Sequence, residues 1–295
     1  ISPSNTTTYT LISVSDANGC TQNLSNSQTV TVNELPIVNI SGSTEICRGE
    51  NANIDFDFTA GLSPWTLSYD IDGIPAAPLS LNNTNDSIAV TPNTTSIYTY
   101  TNIIDANLCV GNITESITVT VNQLPEIDVS GGGYICDDGS TSDIIFNISS
   151  GTPTFNFEYN IGGNTRPVLN SGNQHIISSN EAGIYTATSI TDSKGCEGLS
   201  ITGSAEININ PLPEANISAD PLSADMINPK INFVDLSTGH VSGIWNFDNG
   251  YTETSNLDEI YYTFNDTGTY QVSLTVETDS GCTDIAWQTI IISPV

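Results

Sequence analysis

The 295 residues carry 33 acidic side chains against four Lys and Arg, a formal net charge of −29 at pH 7. So negative a surface repels phosphate backbones and anionic lipid headgroups, which excludes nucleic acid as a partner. With 37% apolar residues the chain can bury several small cores, yet no apolar run approaches the ~18 residues of a membrane span, so the chain reads as soluble, without membrane insertion.

Ser, Thr, Asn and short β-branched runs dominate, and Lys, Glu and Leu at helical spacing are nearly absent. The class is therefore all-β. One pattern recurs four times: YTLISVSDANGC (Tyr9 to Cys20), YTYTNIIDANLC (Tyr98 to Cys109), YTATSITDSKGC (Tyr185 to Cys196) and YQVSLTVETDSGC (Tyr270 to Cys282). Each is a tyrosine leading a strand into a short turn opened by Asp and usually closed by Gly, then a cysteine and a second strand, which is a hairpin. Four copies at domain spacing make a repeat protein.

Three similar tetrapeptides rule off the chain: Asn33-Glu34-Leu35-Pro36, Asn122-Gln123-Leu124-Pro125 and Asn210-Pro211-Leu212-Pro213. Each lies between two alternating strands. Residues 1–36 are accordingly the last strands of a truncated repeat, 37–125 and 126–213 are two further repeats, and 214–295 is a related but distinct module. Short joints that contain Pro and lack Gly disfavour swivelling, which predicts an elongated rod. Within the repeats, Trp65, Leu67, Tyr69 and Ile71 share one strand face, as do Phe155, Phe157, Tyr159 and Ile161. At period two these are core faces.

Gly243-Ile-Trp245-Asn246-Phe247-Asp248-Asn249-Gly250, followed by Gly268-Thr-Tyr270-Gln-Val272, resembles the polycystic-kidney-disease (PKD) domain. The family has a Trp-Asp-Phe-Gly-Asp-Gly turn, and Asn246, Asp248 and Asn249 depart from it. With the Cys-bearing Ig-like repeats, the chain is similar to the repeat region of Bacteroidetes gliding-motility adhesins, in which a PKD module often precedes a sorting domain read by the type IX secretion system. That resemblance implies tandem β-sandwiches on an extracellular, cell-surface protein, and the chain reads as no enzyme because recognisable catalytic constellations are missing. The resemblance also implies as partners the neighbouring repeats, secretion or motility machinery, and surface polysaccharide. A second reading is an accessory spacer or carbohydrate-binding module of a secreted polysaccharide- or protein-degrading enzyme.

In an Ig-like sandwich Tyr9, Tyr98, Tyr185 and Tyr270 fall where a tyrosine corner belongs, with each hydroxyl bonded to nearby backbone. Six cysteines without a Cys-x-x-Cys pair read as disulfides of an oxidising compartment rather than as a zinc site. Cys47 and Cys136 precede the second strand of their repeats, while Cys20, Cys109, Cys196 and Cys282 follow hairpin tips at the opposite end. Head-to-tail stacking would pair Cys47 with Cys196 and Cys136 with Cys282 across the joints, leaving Cys20 and Cys109 unpaired. The alternative pairs Cys47 with Cys109 and Cys136 with Cys196, leaving Cys282 over.

No nucleophile motif or phosphate-cradling loop is present. His175 and His240 fall in separate modules, each expected in an exposed loop. No cofactor is expected, although the Asp70-Ile-Asp72-Gly73 turn and the acidic PKD turn leave a weak surface calcium site open. Trp287 shares its phase with Ile285 and Ile291, which favours a core or inter-sheet position over an outward one.

Overall fold

The computed structural model describes residues 1–42, 44–254 and 258–295, and every regular element among them is a β-strand. The chain divides into two units: Ile1–Pro125 with Ser150–Pro153 and Thr191–Leu199, and the remainder. Residues 1–36 form the hairpin Thr7–Ser15 with Thr21–Val30, nearly all of it exposed. Three hydrophobic cores follow, spanning Val38 to Val121, Ile127 to Ile207 and Ile231 to Ile292.

Each core fills a sandwich of the same plan. In residues 37–125 a three-stranded sheet (Ile37–Ser41, Ala52–Ala60, Asn85–Val90) faces a larger one built on Thr44–Cys47, Val110–Asn122, Ser96–Ile104 and Trp65–Ile71. Aromatic rings lock the two layers together. Phe58 stacks on Trp65 at 4.2 Å between centroids, and Phe56 meets the edge of Tyr100 at 5.5 Å. The last sandwich repeats the plan, with Ile217–Asp220, Lys230–Asp235 and Glu259–Thr263 opposite Ser223–Asp225, Thr283–Ser293, Gly268–Glu277, Ser242–Asn246 and Thr252–Thr254. Its fully buried Trp245, Phe233 and Phe247 form one aromatic cluster.

The first strand of every sandwich serves both sheets. It begins antiparallel to the second strand and ends parallel to the closing strand: Thr44–Cys47 beside Val119–Asn122, and Ser223–Asp225 beside Ile291–Ser293. In the middle repeat one continuous strand, Glu126–Cys136, does both. Crossing between sheets requires a sharp break in the strand. Gly131 and Gly132 supply it at φ of 95° and 77°, where added Cβ atoms would lie 2.2 Å from the Asp143 carbonyl and 2.3 Å from that of Glu206. Gly42 and Pro221 stand at the corresponding breaks.

The hairpin of the middle repeat departs from the simple form. Gly183–Tyr185 pairs with Ala205–Ile207, but Ser200–Gly203 leaves to run parallel to Glu126–Val129. Gly203, at φ 73°, allows the detour, since a Cβ there would lie 2.2 Å from the Val129 carbonyl.

Candidate functional site

The parallel ending of the first strand carries Cys47 and Cys136 to a particular place. Cys47 is in register with Asn122 and Cys136 with Asn210, the residues that open the Pro-bearing tetrapeptides. Each early cysteine therefore lies beside the backbone as it leaves the sandwich. The next cysteine it meets is on the hairpin tip of the following repeat. Cys47 is bonded to Cys196 and Cys136 to Cys282, with Cα separations of 5.5 and 5.6 Å, inside the range a disulfide spans. Cys20 and Cys109 carry free thiols.

The receiving tip is built by a buried aspartate four residues before the cysteine. Asp192 Oδ1 accepts the N–H groups of Lys194 and Cys196, both at 2.9 Å, and its Oδ2 accepts Thr152 N–H from the facing loop at 2.9 Å. One carboxylate thus fixes the turn, the cysteine and the neighbouring loop. Asp105 does the same in the preceding hairpin, accepting Asn107 and Cys109 N–H at 2.9 Å and Leu62 N–H at 3.1 Å. In the last hairpin the hydroxyl of Thr278 takes the role toward Cys282. Beside the first disulfide, Lys194 pairs with Glu45 at 2.8 Å. Hydrogen bonds from Lys194 and Asn122 hold the Glu45 carboxyl below its ordinary value. Both partners are substantially exposed, so the pair orients the tip more than it stabilises it.

Burial works to raise the Asp105 carboxyl, but the N–H groups of Leu62, Cys109 and Asn107 outweigh it and leave the pKa below the ordinary 3.8. A depressed carboxylate contributes stability that is complete above its unfolded value and is lost as pH falls through the folded one. The unfolding midpoint of residues 37–125, read through Trp65, should be insensitive to acid down to about pH 4.5 and fall below about pH 4. Asp105→Asn should flatten that dependence.

The residue before the hairpin cysteine is Gly19, Gly195 and Gly281 in three copies, at φ between 81° and 85°. In the second it is Leu108, held at φ 62° and 80% exposed. A left-handed leucine costs about 1–2 kcal/mol, and glycine returns about half of that gain through unfolded-chain entropy. Leu108→Gly should therefore raise stability by about 0.5–1 kcal/mol in chemical denaturation.

The four tyrosines are not equivalent. Tyr185 and Tyr270 donate their hydroxyls to the carbonyls of Glu181 and Asp266, each at 2.9 Å and four residues upstream. Tyr98 is buried but has no such bond among the described residues, where the Thr94 carbonyl four residues upstream accepts the Ser96 hydroxyl. Tyr9 lies on the open first hairpin, 37% exposed. The corner thus forms in two of the four hairpins.

Of the two histidines expected in exposed loops, His240 does lie in a loop but is not exposed, and His175 is not in a loop at all. His175 is in the strand Gln174–Ser179 and its ring packs on Phe146 and Phe157. His240 is half-buried against Asp235 at 3.2 Å. Trp287 is 60% exposed and faces outward with Ile285 and Ile291, not inward, because Ile290 and Ile292 take the core phase of that strand.

The acidic turns engage backbone. Asp72 Oδ1 accepts Ile97 N–H at 2.8 Å, and Asp248 Oδ2 accepts Gln271 N–H at 2.9 Å, joining the turn to the Gly268–Glu277 strand. Asn246 and Asn249 each accept a turn N–H, from Asp248 and Tyr251. Among the described residues, no group of three or more His, Cys, Asp or Glu is placed to hold a metal ion.

The turn, with its left-handed Asp248, lies inside the stretch that a family model matches. Residues 208–292 match the PKD domain family. PKD and Ig-like domains are typically non-catalytic modules. No significant match is found among curated proteins. Among solved structures, the chain is similar to a 1.5-MDa bacterial ice-binding adhesin described in terms of host cell surface retention, at 11% identity over 90% of this chain and 100% of that one, with a TM-score of 0.41. The PKD1 domain of Vibrio cholerae metalloprotease PrtV matches at 28% identity over 28% of this chain and 98% of its own, TM-score 0.24. A carbohydrate-binding module of the β-sandwich superfamily matches at 26% identity over 28% of this chain and 35% of its own, TM-score 0.27.

Proposed function

We propose that these residues are stalk repeats of a large secreted adhesin displayed on a bacterial cell surface. In this reading the sandwiches extend the chain outward, and the staples limit bending at the joints and help it carry tension. The observation behind the proposal is the pair of disulfides, each tying the exit of one repeat to the hairpin tip of the next. Such bonds suit an oxidising, extracellular setting, and a surface with four Lys and Arg offers trypsin-like proteases few cleavage points. Export by the type IX route and a role in gliding motility or attachment complete the proposal. Its partners would be neighbouring repeats, secretion or motility machinery and surface polysaccharide.

The size of the native polypeptide tests it. A reducing gel probed with antibody to residues 214–295 should show a chain many times longer than these 295 residues. A chain only one catalytic domain longer would replace the stalk with the accessory module of a secreted degradative enzyme.

Trp287 supports a sugar-contacting variant of that second reading. Its indole is exposed on the outer face of the sheet Gly268–Glu277 forms with Thr283–Ser293, near Gln271 and Thr289 on the paired strands. Retardation in polysaccharide-loaded native gels that disappears in Trp287→Ala would favour it.

A further inference from the structure

Of the three hairpins that close a described sandwich, two are occupied and one is not. Cys196 and Cys282 are bonded and 0% and 1% exposed, whereas Cys109 is partly exposed and free. Yet the Cys109 hairpin has the same construction as the occupied Cys196 hairpin. Asp105 holds the Cys109 N–H at 2.9 Å, as Asp192 holds that of Cys196, and both carboxylates reach across to the facing loop. The backbone therefore presents the Cys109 thiol as it presents the bonded one.

We infer that the Asp105–Cys109 hairpin is a docking site for the strand-end turn of the repeat that precedes residue 37, and that Cys109 forms a third staple with the cysteine of that turn. The inference rests on the same residue being bonded in two internal copies, and on the order of those bonds. In both, the early cysteine of one repeat reaches the hairpin of the repeat after it. The partner's chemistry follows from the two turns already seated. Each is a cysteine ending a strand, capped by a side chain three or four residues on: Glu50 accepts Cys47 N–H at 2.9 Å, and Ser140 Oγ donates to the Cys136 carbonyl at 3.2 Å.

The tip also carries apolar surface for the contact. In the occupied hairpin Gly195 lines a cleft with Cys47, Arg48, Gly49 and Glu50. Leu108 takes the place of that glycine, and with Leu62, 54% exposed, it would cover the partner's turn. Bond formation removes two protons and two electrons from the two thiols. A disulfide oxidant accepts both and leaves as two thiols, the same exchange chemistry that forms the existing bonds.

The test uses the full native polypeptide, digested without reduction after thiols are blocked, and does not depend on the stalk reading. Mass spectrometry should find the Cys109 peptide joined to a cysteine peptide from sequence preceding residue 1. A blocked Cys109 thiol, a bond to Cys20, or a bond to Cys109 of a second chain would overturn the inference. In full-length Cys109→Ser one additional thiol, upstream of residue 1, should become alkylated, whereas an unchanged thiol count would also overturn it. A short native chain from an enzyme would end the stalk proposal and leave this result unaffected.

Discussion

Replacing Cys136 and Cys282 together by serine should lower the total free energy of unfolding by about 5 kcal/mol, the loop-closure entropy for a ring of this size. The bonded residues are 146 positions apart, so the unfolded chain forfeits a large closed loop when the bond is absent. Guanidinium denaturation followed through Trp245, buried at the centre of the last core, reads the change. The Cys47–Cys196 bond, with a separation of 149, should contribute similarly. An unchanged denaturation curve in the serine variant would show that the repeats dock without help from the covalent link.

Removal of one carboxylate should also be costly. Asp192→Ala leaves the N–H groups of Thr152, Lys194 and Cys196 without their acceptor. Asp192 is itself 4% exposed, so water replaces it poorly. At about 1–3 kcal/mol for each buried donor left unpaired, with partial relief at the exposed Lys194, a loss of about 3 kcal/mol is expected. Asp192→Asn keeps one acceptor oxygen and should lose about half as much. The same variants should speed reduction of Cys47–Cys196 by dithiothreitol, because a loosened tip admits the attacking thiolate. A wild-type reduction rate in Asp192→Ala would show that the clamp does not hold the cysteine in place.

The repeated hairpin exposes the limits of reading side chains from sequence alone. The Tyr-to-Cys spacing is a local property, set by strand length and turn chemistry, and the alternation of Phe155, Phe157, Tyr159 and Ile161 is local too. Both were legible. The role of the turn aspartate was half legible. An Asp opening a turn is an ordinary signal, but its second oxygen reaches Leu62 or Thr152 across the sandwich, about 40 residues away in sequence. Trp287 misled for a related reason. Its strand carries Ile in both phases, and only the buried partner sheet selects Ile290 and Ile292 for the core. His175 followed the same rule, gaining two aromatic neighbours that no spacing announces.

By itself the sequence determined the all-β class, the recurrence of one hairpin and the PKD-like turn, because strand periodicity and turn residues act over a few neighbouring positions. Only the tertiary structure decided between the two cysteine pairings, the outward face of Trp287 and which tyrosines close a corner. Each of those depends on which sheet a strand joins, and the switch at Gly131 and Gly132 shows how two residues settle that. Parallel pairing beyond the switch delivers the cysteine beside the departing backbone, where the hairpin of the following repeat can reach it.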